Sequence, residues 1–127
     1  MTGLGGKGIM SDGKYVYNIS MDHCFIRGES GMYIPSGTIT SKNITVTNNV
    51  LTNLPGYGVF TTNCRDILVD RNSFISTSCF AAISISNTAF GKATITNNNI
   101  DIHNSVRGIL CQSSGFTGEK LIPKIEN

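Results

Sequence analysis

The chain has 127 residues, enough for one domain, with a net charge of +2 and only 14 % charged residues. No cluster of Lys and Arg can neutralise a run of phosphates, so we expect no nucleic-acid partner. No apolar run reaches the length of about 18 residues that a membrane span needs. Thirteen asparagines and fourteen glycines among many Ser, Thr and Ile residues favour short strands joined by turns.

The N-terminal segment, residues 1–14, is glycine-rich and lacks the order of charged and apolar residues that marks a signal peptide. We expect residues 15–127 to carry the fold. The last residues, "EKLIPKIEN", are interpreted as the start of a further repeat. The chain is therefore expected to be part of a longer one, or a module whose ends are capped by oligomerisation.

Four segments along the chain share one alternating pattern: NISMDHCFI from Asn18, NITVTNNVL from Asn43, DILVDRNSF from Asp66 and KATITNNNI from Lys92. Their second, fourth and ninth positions are apolar in every copy, and the third and fifth are mostly polar. This alternation is typical of strands with one buried face. Each segment is followed by a small residue and then an apolar one. The small residues are Gly31, Gly58, Ala82 and Gly108.

The four segments start 25, 23 and 26 residues apart, and a period of this size indicates a solenoid. Propeller blades need about 40 residues, and leucine-rich repeats would show regularly spaced leucines. Three short strands in each repeat fit a parallel β-helix, whose coils stack about 4.8 Å apart. One coil cannot bury its own apolar face, whereas stacked coils share a continuous core. The sequence therefore predicts an all-β solenoid of about four to five coils.

The pattern N-I-x-V-x-N-N-x-L, followed by a loop and then Gly-Val or Gly-Ile, resembles the pectate-lyase-like superfamily. The resemblance covers roughly residues 15–115 and implies a single-stranded, right-handed parallel β-helix. It also implies three strands in a typical coil. They are Val59–Thr62, Ile67–Asp70 and Phe74–Ser76.

The tight turn between the second and third strands is where asparagines stack in that superfamily. Here the position carries Asn49, Asn72 and Asn98, with Cys24 in the first coil. Asparagine tolerates the left-handed conformation of a sharp turn, and its amide can bond both the turn and the neighbouring coil. We therefore predict an internal asparagine ladder that starts one coil after Cys24, beside outward-pointing Asn48 and Asn97.

Members of the superfamily act mostly on carbohydrate. Since glycosidases use a pair of carboxyl groups, acidic pairs on the outer surface are the candidate catalytic residues. Asp22 and Asp70 share the outward fifth column, two coils and hence about 10 Å apart. Inverting glycosidases hold their carboxyl groups at a slightly smaller separation, about 6.5–9.5 Å. We predict Asp22 and Asp70 as acid and base, with the adjacent His23 and Arg71 as substrate-binding residues. The alternative is that both aspartates are solvated residues beside a turn.

Tyr33 and Phe60 occupy equivalent outward positions one coil apart, and the line continues through Ser84 to Leu110. Aromatic rings pack against the C–H faces of sugars, so Tyr33 and Phe60 are predicted to bind substrate. A stripe of this kind is also typical of an interface with a second subunit, and cover by a loop is a third explanation.

The four cysteines form no C-x-x-C pair, and we expect free, mostly buried thiols, with a disulfide or metal site as the alternative. They are Cys24, Cys64, Cys79 and Cys111. The last coil adds Asp101, His103 and Arg107, which are interpreted as solvated loop residues or a minor site. Since acidic residues do not cluster and no phosphate loop is present, no metal and no cofactor are expected, and a calcium-dependent lyase is disfavoured.

Together these features favour a phage tailspike, a homotrimer that binds or hydrolyses bacterial surface polysaccharide. Its place would be the virion tail or the extracellular space, because free thiols and the missing signal peptide disfavour a secreted cell-wall enzyme. The alternative is a non-catalytic structural or adhesive β-helix, such as a spike shaft or an oligomer interface module.

Overall fold

The computed structural model describes residues 6–36, 39–86, 92–104 and 107–112, and the backbone of 122–126. In these ranges the chain forms strands and turns and no helix. The strands are β1 (Lys7–Met10), β2 (Tyr17–Asp22), β3 (Phe25–Arg27), β4 (Ser30–Pro35), β5 (Ser41–Thr47), β6 (Val50–Thr52), β7 (Tyr57–Thr62), β8 (Cys64–Asp70), β9 (Ser73–Ser76), β10 (Ala81–Ser86), β11 (Lys92–Thr96), β12 (Asn99–Ile102), β13 (Arg107–Gln112) and β14 (Ile122–Glu126).

The strands form three parallel sheets, to which each complete coil contributes one strand. The first sheet has the order β1-β4-β7-β10-β13, the second β14-β11-β8-β5-β2, and the third β12-β9-β6-β3. Neighbours within a sheet are therefore one coil apart in sequence. This is a β-solenoid of about four turns, and the predicted fold class is confirmed. The described residues include no helix long and apolar enough to cross a membrane.

The apolar columns of the repeat align in register as the sequence predicts. Ile19, Ile44 and Ile67 stand side by side, as do Met21, Val46 and Val69. Their side chains fill the interior with the ninth-position residues Ile26, Leu51 and Phe74. Phe74 and Leu51 are fully buried, which places the core inside the stack of coils.

The strands begin one to three residues earlier than predicted. For example, β8 starts at Cys64 rather than Ile67, and β7 starts at Tyr57 rather than Val59. Each additional residue pairs with the coil beside it, as Ser41 does with Cys64. Parallel pairing therefore extends each strand beyond the alternating apolar run that marks it in the sequence.

The turns that follow β2, β5, β8 and β11 in the second sheet each contain a left-handed residue. His23, Asn48, Arg71 and Asn97 have φ between 52° and 55°. In the second, third and fourth coils the next residue is a ladder asparagine whose amide bonds a neighbouring coil, whereas Cys24 in the first coil is exposed. The left-handed position is thus one residue before the ladder asparagine, and in two of the four coils it is not an asparagine.

The predicted asparagine ladder of Asn49, Asn72 and Asn98 is confirmed. The Asn72 Oδ1 accepts from the Asn49 backbone N at 3.0 Å and from its Nδ2 at 2.9 Å. The Asn98 Oδ1 accepts the same two bonds from Asn72. At the N-terminal end of the ladder the Cys24 backbone N donates to the Asn49 Oδ1 at 2.9 Å. The Asn49 and Asn72 amides therefore bond the coils on both sides of them, and the Asn98 amide bonds the third coil.

Candidate functional site

Asp22 and Asp70, the predicted acid and base, lie at the outer edge of the turns in the first and third coils. Thr47 lies between them, paired with Asp22 on one side and Asp70 on the other. The two-coil separation therefore matches the sequence prediction. Asp22 has a half-exposed side chain, whereas that of Asp70 is 12 % exposed.

Both carboxylates are held by the coil that follows them. The Asp22 Oδ1 accepts from Thr47 Oγ1 at 2.6 Å and from Asn48 Nδ2 at 2.9 Å. The Asp70 Oδ1 accepts from Thr96 Oγ1 at 2.7 Å and from Asn97 Nδ2 at 2.9 Å. We call these two groups the carboxylate clamps.

The second carboxylate oxygen of each clamp contacts the residue that follows in the turn. His23 Nδ1 lies 2.7 Å from the Asp22 Oδ2, and Arg71 Nη1 lies 3.3 Å from the Asp70 Oδ2. The predicted substrate-binding residues His23 and Arg71 thus sit beside the predicted catalytic ones. Both have exposed side chains.

The clamps hold the two aspartates ionised. The pKa of Asp22 is lowered well below its usual range by the hydrogen bonds from Thr47, Asn48 and His23. The pKa of Asp70 is lowered by the bonds from Thr96 and Asn97, with a smaller contribution from the charge of Arg71. An ionised carboxylate can act as a base or hold a cation, whereas a general acid needs a raised pKa.

A pattern in the sequence indicates the carboxylate clamps. Along the fifth column Asp22, Thr47, Asp70 and Thr96 alternate between an acceptor and a donor from coil to coil. A search for acidic pairs finds Asp22 and Asp70 but not the threonines that alternate with them in the same column.

An aromatic cluster covers part of the outer face of the first sheet. It consists of Tyr33, Tyr57, Phe60 and Phe80. Tyr33 and Phe60 stack with their ring centroids 4.5 Å apart and their planes 14° apart. Tyr57 packs at an angle against Phe60 at 4.7 Å and against Phe80 at 5.2 Å. Phe80 is 40 % exposed, and the other three rings are half-buried.

The Tyr33 ring is partly covered by its neighbours, which limits the ring surface that a ligand can contact. Phe60 lies against one face of Tyr33, and the Lys7 Nζ lies 5.1 Å from the centroid of the same ring. That ammonium also pairs with the Glu29 Oε1 at 3.1 Å. The exposed ring of Phe80, beside Tyr57, is therefore the part of the cluster most open to a ligand.

Sequence reasoning missed Tyr57 and Phe80. Tyr57 is the first residue of β7, and Phe80 immediately precedes β10. An aromatic residue where the first-sheet strand begins, in consecutive coils, is a usable signal. The predicted line from Phe60 through Ser84 to Leu110 has the expected register, although Ser84 is buried.

The minor candidates in the last coil do not form one group. The His103 Nε2 lies 3.3 Å from the Asp101 Oδ1, and both side chains are exposed. Arg107 is the first residue of β13, where its backbone N donates to the Phe80 carbonyl at 3.2 Å. It therefore lies in the sheet that carries the aromatic cluster.

The cysteines are free, as predicted. Cys64 and Cys79 are buried, Cys111 is partly buried and Cys24 is exposed. Burial raises the pKa of the Cys64, Cys79 and Cys111 thiols. Within the described ranges no three or more His, Cys, Asp or Glu side chains come close enough to hold a metal ion.

Comparison with known families finds one described as "Periplasmic copper-binding protein (NosD)", whose model matches residues 3–117. The match covers most of the chain, including all four turns of the solenoid. No curated protein matches, and no solved structure does.

Proposed function

The chain belongs to the NosD family, and from this premise we propose that it is a polysaccharide-binding β-solenoid that works in the periplasm or outside the cell. The family description supports the location. The resemblance of the repeat to carbohydrate-active β-helices supports the ligand class.

The observation that carries the proposal is the aromatic cluster. Its rings pack against one another across consecutive coils. Because they are ordered before a ligand binds, binding loses little side-chain conformational entropy. The exposed Phe80 ring beside Tyr57 presents an apolar surface of the size of a sugar ring. The strands that carry the cluster are fixed at both edges by neighbouring coils, which makes this face a rigid platform.

Binding is favoured over hydrolysis by the state of the two aspartates. Both carboxylates accept strong hydrogen bonds from Thr and Asn of the next coil and have lowered pKa values. A glycosidase of the inverting class needs one carboxyl group protonated near neutral pH to donate to the leaving oxygen. Neither Asp22 nor Asp70 is placed to stay protonated.

The test is titration of the chain with capsular polysaccharide and lipopolysaccharide, comparing wild type with Phe80→Ala. We expect Phe80→Ala to weaken binding about tenfold, which corresponds to about 1.4 kcal/mol, within the range for an aromatic contact. The matched control is Ile75→Ala, because Ile75 is 44 % exposed but lies on the third sheet, away from the cluster. Equal affinities of wild type and Phe80→Ala would contradict the proposal.

A narrower candidate is a trimeric phage tailspike that cleaves the polysaccharide, with Asp22 and Asp70 as catalytic residues and His23, Arg71, Tyr33 and Phe60 at the substrate. The observation in its favour is the pairing of each aspartate with a basic turn residue, His23 or Arg71, on one outer edge, two coils apart. Sedimentation equilibrium distinguishes the two candidates, because the tailspike requires three chains in the native species.

A further inference from the structure

The family description names copper, which raises the question of whether this chain has the donors for it. Copper sites are built from thiolate, thioether and imidazole ligands. The sequence holds four cysteines and two histidines, and all six lie within the described ranges. Their positions in the fold can therefore be compared with what a copper centre needs.

The thiols are dispersed over the coils, and two of them are buried. Cys24 lies in the turn of the first coil, whereas Cys64 begins β8 and Cys111 lies in β13. The Cys64 Sγ donates to the Thr62 carbonyl at 3.3 Å, and the Cys79 Sγ donates to the Gly56 carbonyl at 3.4 Å. Burial raises the pKa of both thiols, so the thiolate that would bind a metal is disfavoured.

The imidazoles are also apart. His23 lies in the turn of the first coil, and His103 follows β12 in the fourth. Three coil spacings separate them by about 14 Å along the stack. Each ring contacts one aspartate, Asp22 or Asp101. Ligand atoms of a single ion, each about 2 Å from it, cannot span this distance.

The methionines do not complete a site among the described residues. Met21 and Met32 are buried in the core, and Met10 lies exposed on β1. Copper requires several donors at one place, whereas Met10, Met21 and Met32 lie on three different strands. The absence of any described group of three His, Cys, Asp or Glu agrees with this.

We infer that this chain does not hold copper through its own residues, although its family is named for copper binding. Met21, Met32, Cys64 and Cys79 are instead buried, and each imidazole pairs with an aspartate. The inference is independent of the proposed glycan binding, since it concerns a different set of side chains.

The experiment loads the reduced chain with one equivalent of Cu(I) or Cu(II) and passes it through a desalting column that contains a competing chelator. We expect less than about one tenth of an equivalent of copper per chain by atomic absorption. The unfolding temperature should also stay unchanged, because only a ligand that binds the native state raises it. Retention of about one equivalent, with a raised unfolding temperature, would overturn the inference.

A designed variant provides the positive control. Asn48→His with Arg71→His would place imidazoles beside His23 on three consecutive coils, about 4.8 Å apart, at left-handed positions that histidine tolerates. We expect this variant to retain copper where wild type does not. If wild type retains copper, loss of the metal in His23→Ala or Cys24→Ser would identify its donors.

Discussion

Asn72 in the ladder bonds the coils on both sides of it through one side chain. The Asn72 Nδ2 donates to the Val46 carbonyl at 2.9 Å, while its Oδ1 accepts both bonds from Asn49. These groups lie in the interior, where water cannot replace a lost partner. The ladder therefore stabilises the stacking of coils at the turn, which is the point where the strand direction changes.

Replacement of Asn72 tests this role. Asn72→Ala leaves the buried Asn49 backbone N without its partner and removes the side-chain bond to the Val46 carbonyl, and we expect a loss of about 3 kcal/mol in the free energy of unfolding by urea. Asn99→Ala, an exposed position on β12, is the control and should change stability by less than about 0.5 kcal/mol. A similarly small change in Asn72→Ala would contradict the ladder.

The carboxylate clamps make stability depend on pH in a defined direction. Asp22 and Asp70 have folded pKa values below the ordinary 3.8. Well above that pH both groups are ionised in the folded and the unfolded state, so their contribution to the free energy of unfolding does not change with pH. As pH falls below about 4, the unfolded state takes up protons first and the stabilisation is lost. We expect the unfolding temperature to be flat from about pH 7 to 5 and to fall steeply below about pH 4.

Removal of one clamp charge should weaken that dependence. Asp70→Asn keeps an oxygen that can accept from Thr96 but does not titrate, so its unfolding temperature should fall less between about pH 5 and 3. Asp101→Asn, exposed on β12, should keep the wild-type profile. Identical slopes for wild type and Asp70→Asn would show that the clamp does not control acid stability.

At the scale of the strands, close approach of coils depends on glycine at the start of the first-sheet strands. A Cβ on Gly31 would lie 2.5 Å from the Gly58 carbonyl O, and one on Gly58 would collide with the Ala82 carbonyl and the Phe74 ring. Gly108 stands in the same column, but no atom lies within 4 Å of a Cβ built there, since β13 is the last described strand of its sheet.

This column gives a matched pair of substitutions. Gly58→Ala should lower the free energy of unfolding by about 2 kcal/mol, because the coils must separate or the Phe74 ring must move. Gly108→Ala should be close to neutral. Urea unfolding of both variants measures the difference, and equal stabilities would show that the spacing of coils is not set by this contact.

The strands also show how far the sequence predicts this fold. The period and the apolar columns predicted the register from Ile19 to Ile67, because stacked coils must bring equivalent residues together. The left-handed residues His23 and Arg71 were not predicted, since the turn imposes that conformation on whatever residue occupies it. The Tyr57 and Phe80 rings were missed because they meet at a corner outside the alternating segments.

At the scale of the whole molecule, the contacts that stabilise the stack lie apart from the aromatic cluster. The ladder and the core residues hold the coils together from inside, and the carboxylate clamps do so from the outer edge of the turns. The aromatic cluster is carried by the first sheet, on a different side of each coil. A ligand can therefore bind the cluster without disturbing the contacts that stabilise the stack.

The most direct test of the proposed function measures binding and cleavage on one sample. The purified chain is incubated with the polysaccharide that it binds, and reducing ends are counted over time. We expect a stable complex with no reducing ends above the buffer blank, because both aspartates are clamped and ionised. Release of reducing ends that Asp70→Asn abolishes would contradict this expectation and establish a hydrolase.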